Sequence, residues 1–111
     1  MAKLGIVKFA GNSGTRYRFQ TYPLGTAFKK GVAAVYVVTR RRQVEPDGAF
    51  AHKRICLGQT DDLSRPLPDQ GEPLASLGAN CVCVHGEKSK DARLGIQQDL
   101  TRTPRLAGGA S

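Results

Sequence analysis

The sequence predicts an α+β domain: a small, mainly antiparallel sheet, built from an N-terminal hairpin plus three core strands, with two or three short helices on it. Three observations carry this. Two apolar runs, Val32 to Thr39 and Arg54 to Ser64, lie about twenty residues apart with the turn signal Pro46-Asp-Gly48 between them, so the second returns antiparallel to the first. Tyr17 to Tyr22 alternates aromatic and polar residues, as a half-buried strand does. Ala92, Ile96 and Leu100 recur at i, i+4 and i+8, as one face of a helix does.

Taken in order, Leu4 to Phe9 reads as the first strand. Gly11-Asn-Ser-Gly14 is a turn cluster, since Gly and Asn accept positive φ, and it pairs this strand with Tyr17–Tyr22 in a hairpin that puts Tyr17 and Phe19 on one face. Aromatics at period two belong to a hairpin core more often than to a base-stacking surface. Thr26 to Lys30 reads as a short helical turn before Gly31. Val32–Thr39 holds four valines, which suits a strand buried on both faces. Arg40 to Gly48 reads as a charged connection and Lys53 to Gly58 as the return strand.

Asp61-Asp-Leu-Ser64 resembles a helix start, with Thr60 or Asp61 as cap. Pro66, Pro68, Gly71 and Pro73 then exclude a long helix. Pro73 to Gly78 reads as a short helix with Pro at its entry and Gly at its exit. Cys81 to His85 is a strand. Ser89 is a helix N-cap with Asp91 in the first turn, and Pro104 closes that helix. The whole is one domain over 1–103, with a disordered tail over 104–111.

The chain has 111 residues, 40% of them hydrophobic, enough for a modest core without staples. Three cysteines, Cys56, Cys81 and Cys83, are an odd number without framework spacing, which excludes a secreted disulfide scaffold. No run of eighteen apolar residues occurs, and Leu4–Phe9 is too short and lysine-interrupted for a signal core; a cytoplasmic protein with no membrane partner is expected. Cys81, Cys83 and His85 alternate along one strand face. Structural zinc sites place their cysteines on turns, so these read as small core hydrophobes. His52 has no partner in sequence and reads as an exposed loop residue.

Charge is uneven. The net charge is +8, yet residues 1–54 hold eleven Lys and Arg against two acids, and residues 55–111 hold six against seven. A basic half favours phosphate-bearing partners. Arg40, Arg41 and Arg42, extended by Lys29, Lys30, Lys53 and Arg54, are the candidate nucleic-acid-binding residues, since guanidinium groups contact phosphate bidentately.

Several residues in order resemble the GIY-YIG nuclease family. Ala34-Val35-Tyr36 is similar to its first signature, and Cys56-Leu-Gly58-Gln-Thr60 to its second, with Leu63 following. Leu77 to His85 resembles a third core strand of small single-domain members, and Arg93 to Leu100 their metal-bearing helix, so the likeness covers about residues 3–101. The resemblance implies a GIY-YIG-like fold. In active members it implies one-metal phosphodiester cleavage, with a helix glutamate holding the cation, the first tyrosine handling a proton, and a second tyrosine and an arginine around the phosphate.

This chain keeps Tyr36 and Gly58. It has Cys56 for the second tyrosine, Pro66 at the arginine position with Arg65 beside it, and Gln97 for the glutamate; the family's following histidine finds no match near Gln70. A neutral amide holds Mg²⁺ poorly. The reading is a catalytically inactive GIY-YIG-like domain that binds nucleic acid through a basic surface. No cofactor is expected, Mg²⁺ entering only if the domain is active. The alternatives are an active metal-dependent endonuclease with relocated residues, Arg65 and Asp99 or Glu87 among them, and a protein-interaction module reusing the fold.

Overall fold

The computed structural model describes residues 3–44, 49–67 and 73–101. The Pro46-Asp-Gly48 turn, the positions 68 to 72 and the tail from 104 lie outside them. Five strands form one antiparallel sheet: β1 (Gly5–Ala10), β2 (Arg16–Pro23), β3 (Ala34–Val44), β4 (Ala49–Thr60) and β5 (Cys81–Gly86). Their order is β1-β2-β5-β3-β4, so β5 is central, β3 lies between it and β4, and β1 and β4 are the edges. Among the described residues one α-helix, α1 (Lys90–Leu100), and one 3-10 turn, Leu74–Leu77, accompany it. No described helix is long and apolar enough to cross a membrane.

β3 is buried on both faces, as its valines require. Residues 34 to 39 are all buried. Ala34, Tyr36 and Val38 join Leu63, Leu74 and Val82 on one side; Val35 and Val37 join Phe19, Cys83 and Leu100 on the other. The strand period of two makes this division. Leu24, Phe28 and Leu67 cover the first face, and α1 covers the second through Ile96 and Leu100.

The sheet curls toward α1. Val38 pairs with Cys56 but Thr39 pairs with Arg54, so Ile55 is an extra residue and the β3–β4 pair is bulged there. A bulge bends its strand and increases local twist. Past it, the β3–β4 ribbon swings toward β1: an Arg41 guanidinium nitrogen donates to the Leu4 carbonyl at 3.3 Å, and the Phe9 and His52 rings meet edge to face at 6.4 Å. The result is a half-barrel with α1 on its concave side.

α1 starts where Ser89 Oγ accepts the Ala92 amide at 3.2 Å. Its other end is held by the β1–β2 turn. The Asn12 amide donates to the Asp99 carbonyl at 2.7 Å, and the Asp99 carboxylate accepts from the Ser13 amide, the Ser13 hydroxyl and the Tyr17 hydroxyl, at 2.8, 2.6 and 2.7 Å. These bonds hold the carboxyl below its ordinary range. A Cβ on Gly11 would stand 2.1 Å from an Asp99 oxygen, so only glycine lets the turn dock here.

Several expectations are corrected. Thr26 to Lys30 is not helical; Gly25 and Gly31, at φ 93° and 80°, bracket a segment too short to nucleate a helix. Asp61 to Ser64 is a turn, because the Asp62 carboxylate accepts the Ser64 and Gly31 amides at 3.0 and 3.1 Å and Pro66 stops any continuation. Among the described residues the two or three helices thus reduce to α1 plus the 3-10 turn, which ends at Gly78 with φ 89° as its entry and exit residues imply. The charged stretch Arg40–Val44 is strand, not loop, and β4 begins at Ala49 instead of Lys53: each extends the β3–β4 ladder past the bulge. His52 is a half-buried strand residue, its Nδ1 2.9 Å from the Thr39 hydroxyl.

Candidate nucleic-acid interface and the tyrosine cluster

Tyr36, Cys56 and Gly58 lie together on the face away from α1. Tyr36 pairs with Gly58 across β3–β4, and Cys56 pairs with Val38 one step along. The Tyr36 ring lies flat over Gly58: a Cβ there would be 2.4 Å from the phenol oxygen and 2.5 Å from Cζ. This close approach is the physical reason for glycine at 58. Tyr36 is 6% exposed. Burial, then the neighbouring Cys56, pushes its hydroxyl above the ordinary phenol value, and burial likewise raises the Cys56 thiol. Neither group is set up to lose a proton near neutrality.

Arg65 is on this side of the sheet too. It lines an open cleft of about 430 Å³ with apolar walls that include Leu24, Phe28, Leu63, Leu67 and Leu74. Its guanidinium pairs with Asp61 at 2.9 Å, and both side chains are well exposed. Gln97 belongs to α1, on the opposite face, with the sheet between it and Tyr36. Four of the five positions drawn from the resemblance therefore share a face, and Gln97 does not.

The donor chemistry does not fit a divalent cation. Gln97 offers a neutral amide, Asp61 is taken by Arg65, and Asp62 by Ser64 and Gly31. Among the described residues no three His, Cys, Asp or Glu side chains group as ligands would. Cys81, Cys83 and His85 do share the concave face, but Cys83 is fully buried beside the Thr21 hydroxyl at 3.6 Å, and His85 Nδ1–H donates to the Arg18 carbonyl at 2.8 Å. Burial raises the Cys83 and Cys81 thiols. His52 shifts down, through burial and then the Arg41 charge.

The seven candidate phosphate-binding residues separate into three groups. Lys29 and Lys30 are exposed ahead of β3, whereas Arg40 and Arg42 lie at its far end, about 20 Å along the strand from Ala34. Arg41 and Arg54 are structurally engaged. Arg41 spans to Leu4 and stacks 3.9 Å over the Phe50 ring; Arg54 donates to the Leu100 carbonyl at 3.0 Å, where a cation suits the helix C-terminus. Arg40, Arg42 and Lys53 remain.

Arg40 and Arg42 are two apart on one strand, and their partners across the ladder are Lys53 and Ala51. These four residues, with His52, line a recess of about 330 Å³. The small Ala51 opposite Arg42 leaves its floor open. All three cations are exposed, and among the described residues the one ion pair is Arg65–Asp61 elsewhere. Among the described residues no acidic side chain pairs with these cations, so the recess concentrates positive charge.

Three features were not singled out from sequence. Arg93 is 3% exposed, donating to Gln59 Oε1 at 2.8 Å and to the Glu87 and Lys88 carbonyls at 3.0 and 2.9 Å. Its place at i−3 and i−7 from Ile96 and Leu100 was the available signal. Asp99 as a turn anchor carries no sequence signal beyond its acidity. Phe50, 51% exposed, is a lone large apolar residue inside a charged stretch. Neither family models, curated proteins nor solved structures matched the chain.

Proposed function

We propose that this domain binds nucleic acid through the phosphate backbone and does not cut it. The observation that carries this is the recess of Arg40, Arg42 and Lys53 on the bulged β3–β4 ribbon. Side chains two apart on a strand are about 6.8 Å apart, a span over which two guanidinium groups reach successive phosphates of one strand. A GIY-YIG-like fold is part of the same proposal. The interior position of the Tyr36 strand, between the Gly58 strand and the third core strand, supports it, as does the close approach of Tyr36 to Gly58. Neutral Gln97 across the sheet and the unactivated Tyr36 argue against metal-assisted cleavage.

The test is a titration of labelled DNA and RNA by anisotropy over a range of salt. Affinity falls as salt rises, and Arg40→Ala and Arg42→Ala each flatten the log–log slope by about one unit. Absence of binding even at low salt removes the proposal. Cleavage of branched or nicked DNA with Mg²⁺ or Mn²⁺, abolished by Tyr36→Phe, would reinstate the active-nuclease reading. The apolar cleft beside Arg65 supports the protein-module reading; there, charge reversal at Arg40 and Arg42 breaks a protein complex and leaves nucleic-acid affinity intact.

A further inference from the structure

The recess has a floor and an edge as well as three cations. Arg40, Arg42, Ala51 and Lys53 stand at the corners of one patch on the convex face, about 6.8 Å apart along each strand and about 5.5 Å apart across the ladder. Three corners carry long cationic side chains and the fourth a methyl group. The space over Ala51 is therefore open, with Arg42 across from it and Lys53 beside it. Arg40 stands at the diagonal corner. Its stem passes Gly78, where a Cβ would be 3.4 Å from Arg40 Cδ, so it is braced on the side away from β4. The edge follows from Asn80, whose side chain accepts from the Arg41 amide at 2.7 Å and donates to the Arg41 carbonyl at 2.9 Å. Those backbone groups thus point away from β4, and in an antiparallel ladder the residue opposite then turns its own amide outward. That residue is His52, so its N–H faces the outer edge of β4 between Ala51 and Lys53, while its ring lies on the other face against Thr39.

We propose that the space over Ala51 receives a terminal phosphate, the phosphomonoester end of a nucleic-acid strand, held by Arg42, Lys53 and the His52 amide, while Arg40 takes the adjoining phosphodiester. This rests on the nucleic-acid reading above and names the strand end as its ligand. A phosphomonoester carries about −1.5 to −2 charge at pH 7 and three strong acceptor oxygens. An internal phosphodiester carries a single charge and has a sugar on either side. Two cations and an amide aimed at one point are matched fully by the first and only in part by the second. Arginine suits forked contact with phosphate oxygens, and lysine supplies a point charge beside it. Arg40 is two residues along β3, so the next phosphate of the same strand falls to it.

The experiment measures anisotropy of internally labelled DNA oligomers of one sequence: 5′-phosphorylated, 3′-phosphorylated, hydroxyl at both ends, and the hydroxyl form lengthened by one nucleotide. The proteins are the wild type, Arg40→Ala, Arg42→Ala, Lys53→Ala and Ala51→Leu. All four positions are exposed, and far-UV circular dichroism checks each fold. At low salt the wild type binds a phosphorylated end about fivefold tighter than the hydroxyl oligomer. The lengthened oligomer gains less, since its added charge is internal. The two phosphorylated forms show which end is held. Arg42→Ala and Lys53→Ala lose the preference, whereas Arg40→Ala weakens binding of every oligomer and keeps it. Ala51→Leu fills the space without changing charge, so it loses the preference and still binds the hydroxyl oligomer. Equal affinity for phosphorylated and hydroxyl ends, a gain matched by the lengthened oligomer, or a preference that survives Arg42→Ala, Lys53→Ala and Ala51→Leu overturns the end site and leaves backbone binding standing. If the wild type binds no oligomer, the phosphate reading fails and the end site with it.

Discussion

Gly58→Ala tests the packing of the tyrosine cluster. The added methyl would sit 2.4 Å from the Tyr36 hydroxyl oxygen, 2.5 Å from Cζ and 3.0 Å from Cε2. Carbon atoms in ordinary contact are about 3.5–4.0 Å apart, so the ring has to retreat by about 1 Å. It has little room to do so. Tyr36 is 6% exposed and packed in one cluster with Val38, Leu63, Leu74 and Val82. Overpacking of this kind costs about 1–3 kcal/mol. With a urea m-value of about 1.5 kcal/mol/M, the unfolding midpoint falls by roughly 0.7–2 M. Without the clash the sign is reversed, since alanine restricts the unfolded chain and stabilises by about 0.4–1 kcal/mol.

The same substitution in a Tyr36→Val background is therefore neutral or stabilising. The difference between the two backgrounds is a coupling of at least about 1 kcal/mol. Urea melts of the four proteins, followed by far-UV circular dichroism, supply it. A Gly58→Ala protein as stable as wild type, or an equal loss in both backgrounds, would show that Tyr36 does not lie against Gly58.

Asp99→Asn alters the pH dependence of stability. The folded-state value of this carboxyl lies below its unfolded one, chiefly through the Ser13 and Tyr17 hydroxyls. Its contribution is therefore complete above the ordinary carboxylate range and is lost as the pH falls through the folded value. Thermal melts in acid show a shallower decline for Asp99→Asn than for wild type; parallel declines would refute the assignment. Arg93→Met keeps the apolar stem and removes three hydrogen bonds from a buried cation, leaving the Glu87 and Lys88 carbonyls and Gln59 without their donor. A loss of roughly 1.5–3 kcal/mol in a urea melt is expected; a change under about 0.5 kcal/mol contradicts the burial of that guanidinium.

Much of the framework was legible because it is written at short period. The hairpin, the doubly buried β3, the Ser89 cap and the Ile96–Leu100 stripe each follow from a few neighbouring residues. The misread segments are those whose local signal was outweighed. Asp61–Ser64 carries cap-like residues, but the Asp62 carboxylate turns back to Ser64 and reaches Gly31, some thirty positions away. Arg40–Val44 is charged, yet pairing with Ala49–Arg54 makes it strand.

The amino-acid order alone determined which residues carry charge, which strand is buried, and that glycine and tyrosine stand at 58 and 36. Only the tertiary structure decided what these do. Three successive arginines are equivalent in sequence; the pleat turns Arg41 inward to Leu4 and Phe50 and leaves Arg40 and Arg42 facing solvent. Gln97 is separated from Tyr36 because α1 packs on the face that Val35 and Val37 present. Such outcomes depend on contacts between residues far apart in the chain, and a bulge of one residue at Ile55 redirects everything beyond it.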